Sequence, residues 1–129
     1  FSMANKSMSD LLLKLSPEGE YGRLFDEFAT NRVHTFQIQN QIGSMMKDVE
    51  GVIKESIKQF GKGARTIERV FYGFFEEQKD GIHESLQNLN TIGGHENRQF
   101  REALMDIRTL LKKTLFYISE LEPIDSMTE

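Results

Sequence analysis

The side chains best suited to acid–base chemistry or metal binding at neutral pH are three histidines: His34, His83 and His95. A di-iron bundle needs a Glu-x-x-His pair on each of two helices, so that both ligands face the interior. The residues three positions before the histidines are, in order, Asn31, Asp80 and Ile92. Only Asp80 supplies a carboxylate, and a single half-site does not form a metal centre. We therefore expect neither a metal nor a cofactor.

His34 raises a second kind of chemistry, because phosphoryl groups are carried by histidines on helical bundles. It lies in a helical pattern, with Phe36 two residues on and Gly43 further along. In this respect the segment resembles histidine phosphotransfer domains, and the resemblance implies a phosphoryl acceptor at His34. Those domains usually follow the histidine with Lys-Gly, whereas Gln37 and Ile38 occupy the corresponding places here. Phosphotransfer through His34 is retained as an alternative function.

No other pattern in the sequence is typical of an enzyme. There is no nucleophile elbow, P-loop or dinucleotide-binding fingerprint. The chain has no cysteine, which excludes thiolate nucleophiles, thiolate metal sites and disulfides. Carboxylates are frequent around Glu76 and Asp80, but a charged run on a helix usually forms a solvated face. We expect a protein that is not an enzyme.

Composition favours an elongated helical protein. The 129 residues suffice for one domain, and the hydrophobic share of 38% is low for a compact globular core. Elongated helices bury only one stripe each and need fewer apolar residues. A net charge of −4 argues against nucleic-acid binding. The absence of cysteine and of a signal-peptide pattern is consistent with a cytoplasmic protein.

The strongest signal in the sequence is a hydrophobic repeat of three- and four-residue steps between Tyr21 and Leu121. It is interrupted only by the glycine pairs of residues 61–63 and 93–94, which are typical helix ends. The repeat predicts an all-α, elongated antiparallel bundle of long helices with coiled-coil-like packing. The three helices are expected over residues 17–60, 64–92 and 95–122.

The repeat also assigns individual residues to the core or to the surface. Phe74 and Leu111 lie on the apolar faces of the second and third helices and are expected in the core. Arg101 and Lys112 lie on another face and are expected outside it.

The two ends of the chain fall outside the repeat. We expect a disordered leader over residues 1–16, with a short helix over its leucines as the alternative. Residues 17–122 form the bundle domain in this interpretation. Pro123 is expected to close the last helix, because proline disrupts a helix interior, and residues 123–129 are then an acidic tail.

The first helix is too long for its partners. A continuous helix over residues 17–60 would span about 65 Å, against about 40–45 Å for each of the other two. It therefore overhangs them, or it breaks near Thr30, where the apolar stripe thins, and a fourth helix results. We favour the overhang. It would expose an apolar strip that a second copy covers in a homodimer, with these residues at the interface: Tyr21, Leu24, Phe25 and Phe28.

Charge distribution suggests where a partner binds. In an up–down–up bundle, basic residues beside the first turn and near the end of the third helix meet at one pole. This predicted basic pole comprises Lys54, Lys58, Lys62, Arg65, Arg69, Arg108, Lys112 and Lys113. It suits an acidic protein partner or an anionic membrane surface. The leading expectation is a non-enzymatic protein–protein interaction or assembly module, and a peripheral membrane module is the alternative.

Overall fold

The computed structural model describes the backbone of residues 2–128 and the side chains of residues 6–117. Within that backbone every regular element is helical, which confirms the all-α bundle. The helices are α1 (Ser2–Leu15), α2 (Glu20–Thr30), α3 (Thr35–Lys58), α4 (Ala64–Ile92) and α5 (Arg98–Thr128), with a 3-10 turn at Gly61–Gly63. Both predicted glycine turns lie between helices.

The long first helix is interrupted, so the predicted overhang is wrong and the break near Thr30 is correct. The backbone is extended at Asn31, with ψ of 156°, and at His34, with ψ of 135°. His34 is the N-cap of α3, and its Nδ1 accepts a hydrogen bond from the Phe36 backbone N–H at 3.1 Å. The polar residues around the break leave too little apolar surface to hold a continuous helix, and the cap starts a new one.

The strip predicted for self-association is therefore turned into the bundle. Phe28 is 1% exposed and Phe25 is 6% exposed, and their rings meet edge to face with centroids 5.9 Å apart. Tyr21 and Leu24 are half-buried against the same core. The Tyr21 hydroxyl donates a hydrogen bond to Asp48 on α3. These four residues therefore do not form the exposed apolar strip from which the homodimer was predicted.

The N-terminal segment is a regular helix of 14 residues, α1, so the disordered leader is wrong and the alternative helix over the leucines is present but longer than expected. Its buried side chains recur at helical spacing and join the main core: Met8, Leu11 and Leu15. Gly19 and Gly22 allow the chain to turn tightly into α2. A Cβ at Gly19 would collide with the Leu13 carbonyl, and one at Gly22 with the Ser16 carbonyl.

The other end also differs, because the backbone of α5 is helical to Thr128 and does not end at Pro123. Proline removes one backbone hydrogen bond, but the residues after it can still adopt helical angles. The side chains of the predicted acidic tail lie outside the described residues.

The helices pack as a four-helix bundle in which α1 and α2 together occupy the position of one helix. They contact α5 on one side, and α1 also packs against α3. Successive helices α3, α4 and α5 are antiparallel: Gln39 on α3 reaches the Leu86 carbonyl on α4, and Phe74 on α4 stacks on Tyr117 of α5. One continuous hydrophobic core links all five helices. None of the described helices combines the length and apolar character that a membrane span requires.

Candidate partner-binding surface

The eight residues of the predicted basic pole do not meet in the structure. Phe74 stacks on Tyr117, so Lys113 and Lys112 lie level with residues 78 and 79 of α4. At 1.5 Å per residue, that level is about 20 Å along the helix axis from Arg65. The predicted single pole is not formed, because the register between α4 and α5 places these lysines beside the middle of α4, far from the basic residues at its start.

Arg108 has a structural role instead of a place in the pole. Its Nε donates a hydrogen bond to the Leu15 carbonyl at 2.7 Å, and the side chain is partly buried. That carbonyl belongs to the last residue of α1, where backbone acceptors lack partners within the helix. The guanidinium therefore caps α1 and fixes it to α5, a role better suited to arginine than to lysine.

Two of the remaining five cations are neutralised by their own helix. Lys54 Nζ lies 3.2 Å from Glu50 Oε1, and Lys58 Nζ lies 3.2 Å from Glu55 Oε1. The hydrogen bond to Glu50 is the main cause that raises the pKa of Lys54. The other three are exposed and form no ion pair with any described carboxylate, and we call them the basic turn: Lys62, Arg65 and Arg69.

A separate apolar feature lies between α4 and α5. This α4–α5 groove has a volume of about 580 Å³ and is lined by Phe74, Thr109, Lys112, Lys113, Phe116 and Tyr117. The Phe74 and Tyr117 rings stack with centroids 3.9 Å apart and an angle of 14° between their planes. The Phe116 side chain is 50% exposed. The groove is thus an open aromatic surface on the outside of the bundle.

Phe74 is predicted in the core, but in the structure it lines the groove. Phe71 and Phe75 occupy the buried positions of that turn, so Phe74 lies at the edge of α4 and is only half-buried. Leu111 is buried as predicted, and Arg101 is exposed as predicted. Lys112 is half-buried, because its alkyl chain lines the groove.

Cations lie directly beside the aromatic rings of the groove. The Lys113 ammonium is 5.9 Å from the centroid of the Phe74 ring, within the range of a cation–π contact. Neither Lys112 nor Lys113 forms an ion pair with a carboxylate in the part of the chain whose side chains are described. An apolar surface with two unneutralised ammonium groups favours a ligand that carries apolar and acidic groups together.

Sequence reasoning missed the groove because its aromatic residues do not follow the repeat. Leu111 and Leu115 fit the core face of α5, whereas Phe116 and Tyr117 fall on neighbouring faces. Two adjacent aromatic residues outside the core frame, preceded one turn earlier by two lysines, were the available signal. A single exposed apolar side chain is ordinary, whereas neighbouring aromatic residues on an exposed face are a feature of binding surfaces.

The histidines do not form a catalytic or metal centre among the described residues. No group of three or more histidine, aspartate or glutamate side chains there is arranged to hold a metal ion. His34 and His95 line one pocket of about 490 Å³ where the α2–α3 break meets the α4–α5 turn, and His83 is exposed on α4. His34 precedes α3 instead of lying on a helix face, which departs from the arrangement that the phosphotransfer resemblance implies.

Comparison with known proteins identifies a family without an assigned activity. The chain belongs to the Family of unknown function (DUF5312), whose model matches residues 1–118. No curated protein and no solved structure matches it. A function therefore has to be argued from the surface of the bundle.

Proposed function

We propose that the chain is a non-enzymatic protein-interaction module and that the α4–α5 groove is the surface where an acidic partner protein docks. One observation carries the proposal: stacked, partly exposed aromatic rings lie beside two lysines that no described carboxylate neutralises. This is the composition of a docking surface, with an apolar centre and a charged margin.

Energetics support binding at the groove. Aromatic side chains dominate the binding energy of many protein interfaces, because each buries a large area with few rotatable bonds. At about 25 cal/mol per Å², covering 100 Å² of exposed aromatic surface contributes about 2.5 kcal/mol before the cost of association. Phe116, which is 50% exposed, is the largest unburied apolar group of the groove and is the expected anchor.

The charges around the groove favour an acidic partner. Lys112 and Lys113 lie at its edge. Cations that surround an apolar centre accelerate encounter with a negatively charged protein and discriminate against positively charged ones.

The groove is poorly equipped for catalysis, which supports the non-enzymatic interpretation. Its described lining includes no imidazole and no carboxylate, so none of these side chains is an ordinary general base that could activate the Thr109 hydroxyl. Its open form would also leave a small substrate largely in contact with water, whereas small-molecule sites usually enclose their ligand.

The proposal can be tested by site-specific photo-crosslinking of the full chain in cells that express it naturally. A photoreactive residue replaces Thr109 inside the groove or, as the control, exposed Gln87 on the same bundle. We expect one defined protein adduct from position 109 that position 87 does not give. Phe116→Ala in the position-109 variant should reduce that adduct severalfold. Equal adducts from both positions, or an adduct insensitive to Phe116→Ala, would contradict docking at the groove.

A further inference from the structure

We infer that the groove holds one acidic amphipathic α-helix of the partner; this inference rests on the proposed function and specifies the occupant of the same site. Three properties of the groove lead to it. They are its position between two packed helices, its length, and the separation of its aromatic and cationic groups.

The position of the groove fits a helix. Antiparallel α4 and α5 contact closely at Phe74–Tyr117, and a Cβ built at Gly81 would lie 3.2 Å from Leu110 Cδ1. The lining residues of α5 recur at three- and four-residue spacing from Thr109 to Tyr117, so the groove runs along the α5 axis with Phe74 of α4 at its edge. Side-chain ridges of a third helix pack into such grooves with axes about 8–10 Å apart. Helix-in-groove binding is one of the recurring modes of peptide recognition.

The described length of the groove sets the smallest stretch of the partner that would contact it. Among the described side chains, its lining on α5 extends from Thr109 to Tyr117, which corresponds to about 12 Å, or roughly two helical turns. A partner helix would therefore place at least about seven or eight residues against it. An apolar stripe two turns long needs anchors at positions i and i+4.

The order of groups in the groove specifies a charge pattern. Lys112 and Lys113 precede Phe116 by four and three residues, so the ammonium groups lie about one turn from the exposed ring. A partner helix would cover Phe116 with an apolar side chain, its anchor. A carboxylate three or four residues from that anchor, on the same face of the partner helix, would then lie beside the two lysines. The inferred motif is thus two apolar anchors followed or preceded by Glu or Asp one turn away.

The test uses designed helical peptides as probes of the full chain, with binding measured by fluorescence anisotropy. One peptide carries leucines at i and i+4 with glutamates one turn away, and two matched peptides carry glutamine or lysine instead of glutamate. Two new ion pairs should make the glutamate peptide bind about five- to tenfold tighter than the glutamine peptide, with the advantage lost at high salt. The lysine peptide should bind most weakly.

Charge reversal supplies the matched control. Lys112→Glu combined with Lys113→Glu should reverse the order of the glutamate and lysine peptides. Arg69→Glu on the basic turn should change the affinity for either peptide less than twofold, because a distant exposed charge is screened. Phe116→Ala should weaken all three peptides together. Circular dichroism of each variant establishes that the bundle is folded.

If the groove holds something other than a partner helix, these experiments should give different results. Equal affinity for the three peptides, or no binding of the glutamate peptide, would overturn the inferred helix, while a groove-specific adduct in cells would still support the proposed function. Sedimentation with phosphatidylserine vesicles, if abolished by Phe116→Ala, would instead identify a membrane occupant. A concentration-dependent dimer in light scattering, if abolished by the same substitution, would identify a second copy of the chain.

Discussion

Neighbouring aromatic residues on α4 have different roles because they lie on different sides of one helical turn. Phe71 is fully buried, and its ring stacks on that of Phe75 with centroids 5.4 Å apart. Phe74 faces the groove and stacks on Tyr117, which is itself only half-buried. The first pair stabilises the fold, and the second pair lines the α4–α5 groove.

This division predicts opposite results for two phenylalanine truncations. Phe71→Ala should lower the free energy of unfolding by about 3–5 kcal/mol, because it removes a buried ring and leaves a cavity. Phe116→Ala should change it by no more than about 0.5 kcal/mol, as is usual for exposed positions. Urea denaturation followed by circular dichroism measures both. Equal losses would mean that Phe116 belongs to the core and that the groove is not a free surface.

Tyr21 predicts a specific alkaline effect on stability. Burial raises the pKa of Tyr21 above its ordinary value of 10.0, and the hydrogen bond to Asp48 acts in the same direction. The folded protein therefore favours the protonated phenol. Its contribution to stability is complete below pH 10 and is lost as the pH rises through the folded-state pKa. In denaturation series from pH 8 to 11.5, the wild type should lose stability above pH 10 more steeply than Tyr21→Phe, and parallel curves would contradict the linkage.

Residues were predictable from the sequence where burial followed the repeat. Leu111 occupies a core position of a strong helical pattern, and it is buried. Phe74 belongs to a cluster of neighbouring aromatic residues, and the sequence alone does not show which of their rings face the core. The groove depends on the register between α4 and α5, and a periodic pattern within one helix carries no information on that register.

At the scale of elements, the junction between α1 and α2 is the most constrained part of the backbone. Gly22 approaches the Ser16 carbonyl so closely that any Cβ would require the backbone to move. Gly43, in the interior of α3, has no other group within 4 Å of a Cβ position. A side chain at Gly22 would therefore clash with the backbone, whereas a side chain at Gly43 would meet no neighbouring group.

Alanine at these positions should move stability in opposite directions. Gly22→Ala should lower the free energy of unfolding by about 1–3 kcal/mol through overpacking against backbone. Gly43→Ala should raise it by about 0.5–1 kcal/mol, because alanine is the better helix former and meets no obstacle. Thermal and urea denaturation of both variants provide the comparison. A tolerated Gly22→Ala would mean that the turn is looser than the structure shows.

The break after Thr30 was visible in the sequence, but the choice between overhang and fold-back was not. The polar residues of that stretch thin the apolar stripe, which correctly marked a break. The choice depends on residues 1–16, which the sequence interpretation places outside the bundle. Once α1 and α2 share one side of it, the apolar residues of α2 have a core to enter, and no second copy is needed to cover them.

For the whole molecule, the arrangement predicts the outcome of a double substitution in α2. Leu24→Glu with Phe28→Glu would yield a folded monomer if these residues formed an exposed dimer interface. Phe28 is 1% exposed in the bundle, so two unpaired charges should instead unfold the protein. Circular dichroism should show loss of most of a helix content that is 87% in the native structure. Retention of the helical signal would instead support the arrangement in which α2 projects beyond the bundle.

The hydrogen bond from Arg108 to the Leu15 carbonyl joins residues that are 93 positions apart in the chain. During synthesis at about 5–20 residues per second, Arg108 is therefore added roughly 5–20 s after Leu15. The α4–α5 hairpin needs only local contacts and can form as soon as it emerges. On ribosomes stalled before α5, we expect a protease to cleave α1 faster than in the released complete chain, because α1 then has its contacts with α2 and α3 but not those with α5. The last helix of the bundle thus completes the protection of the first.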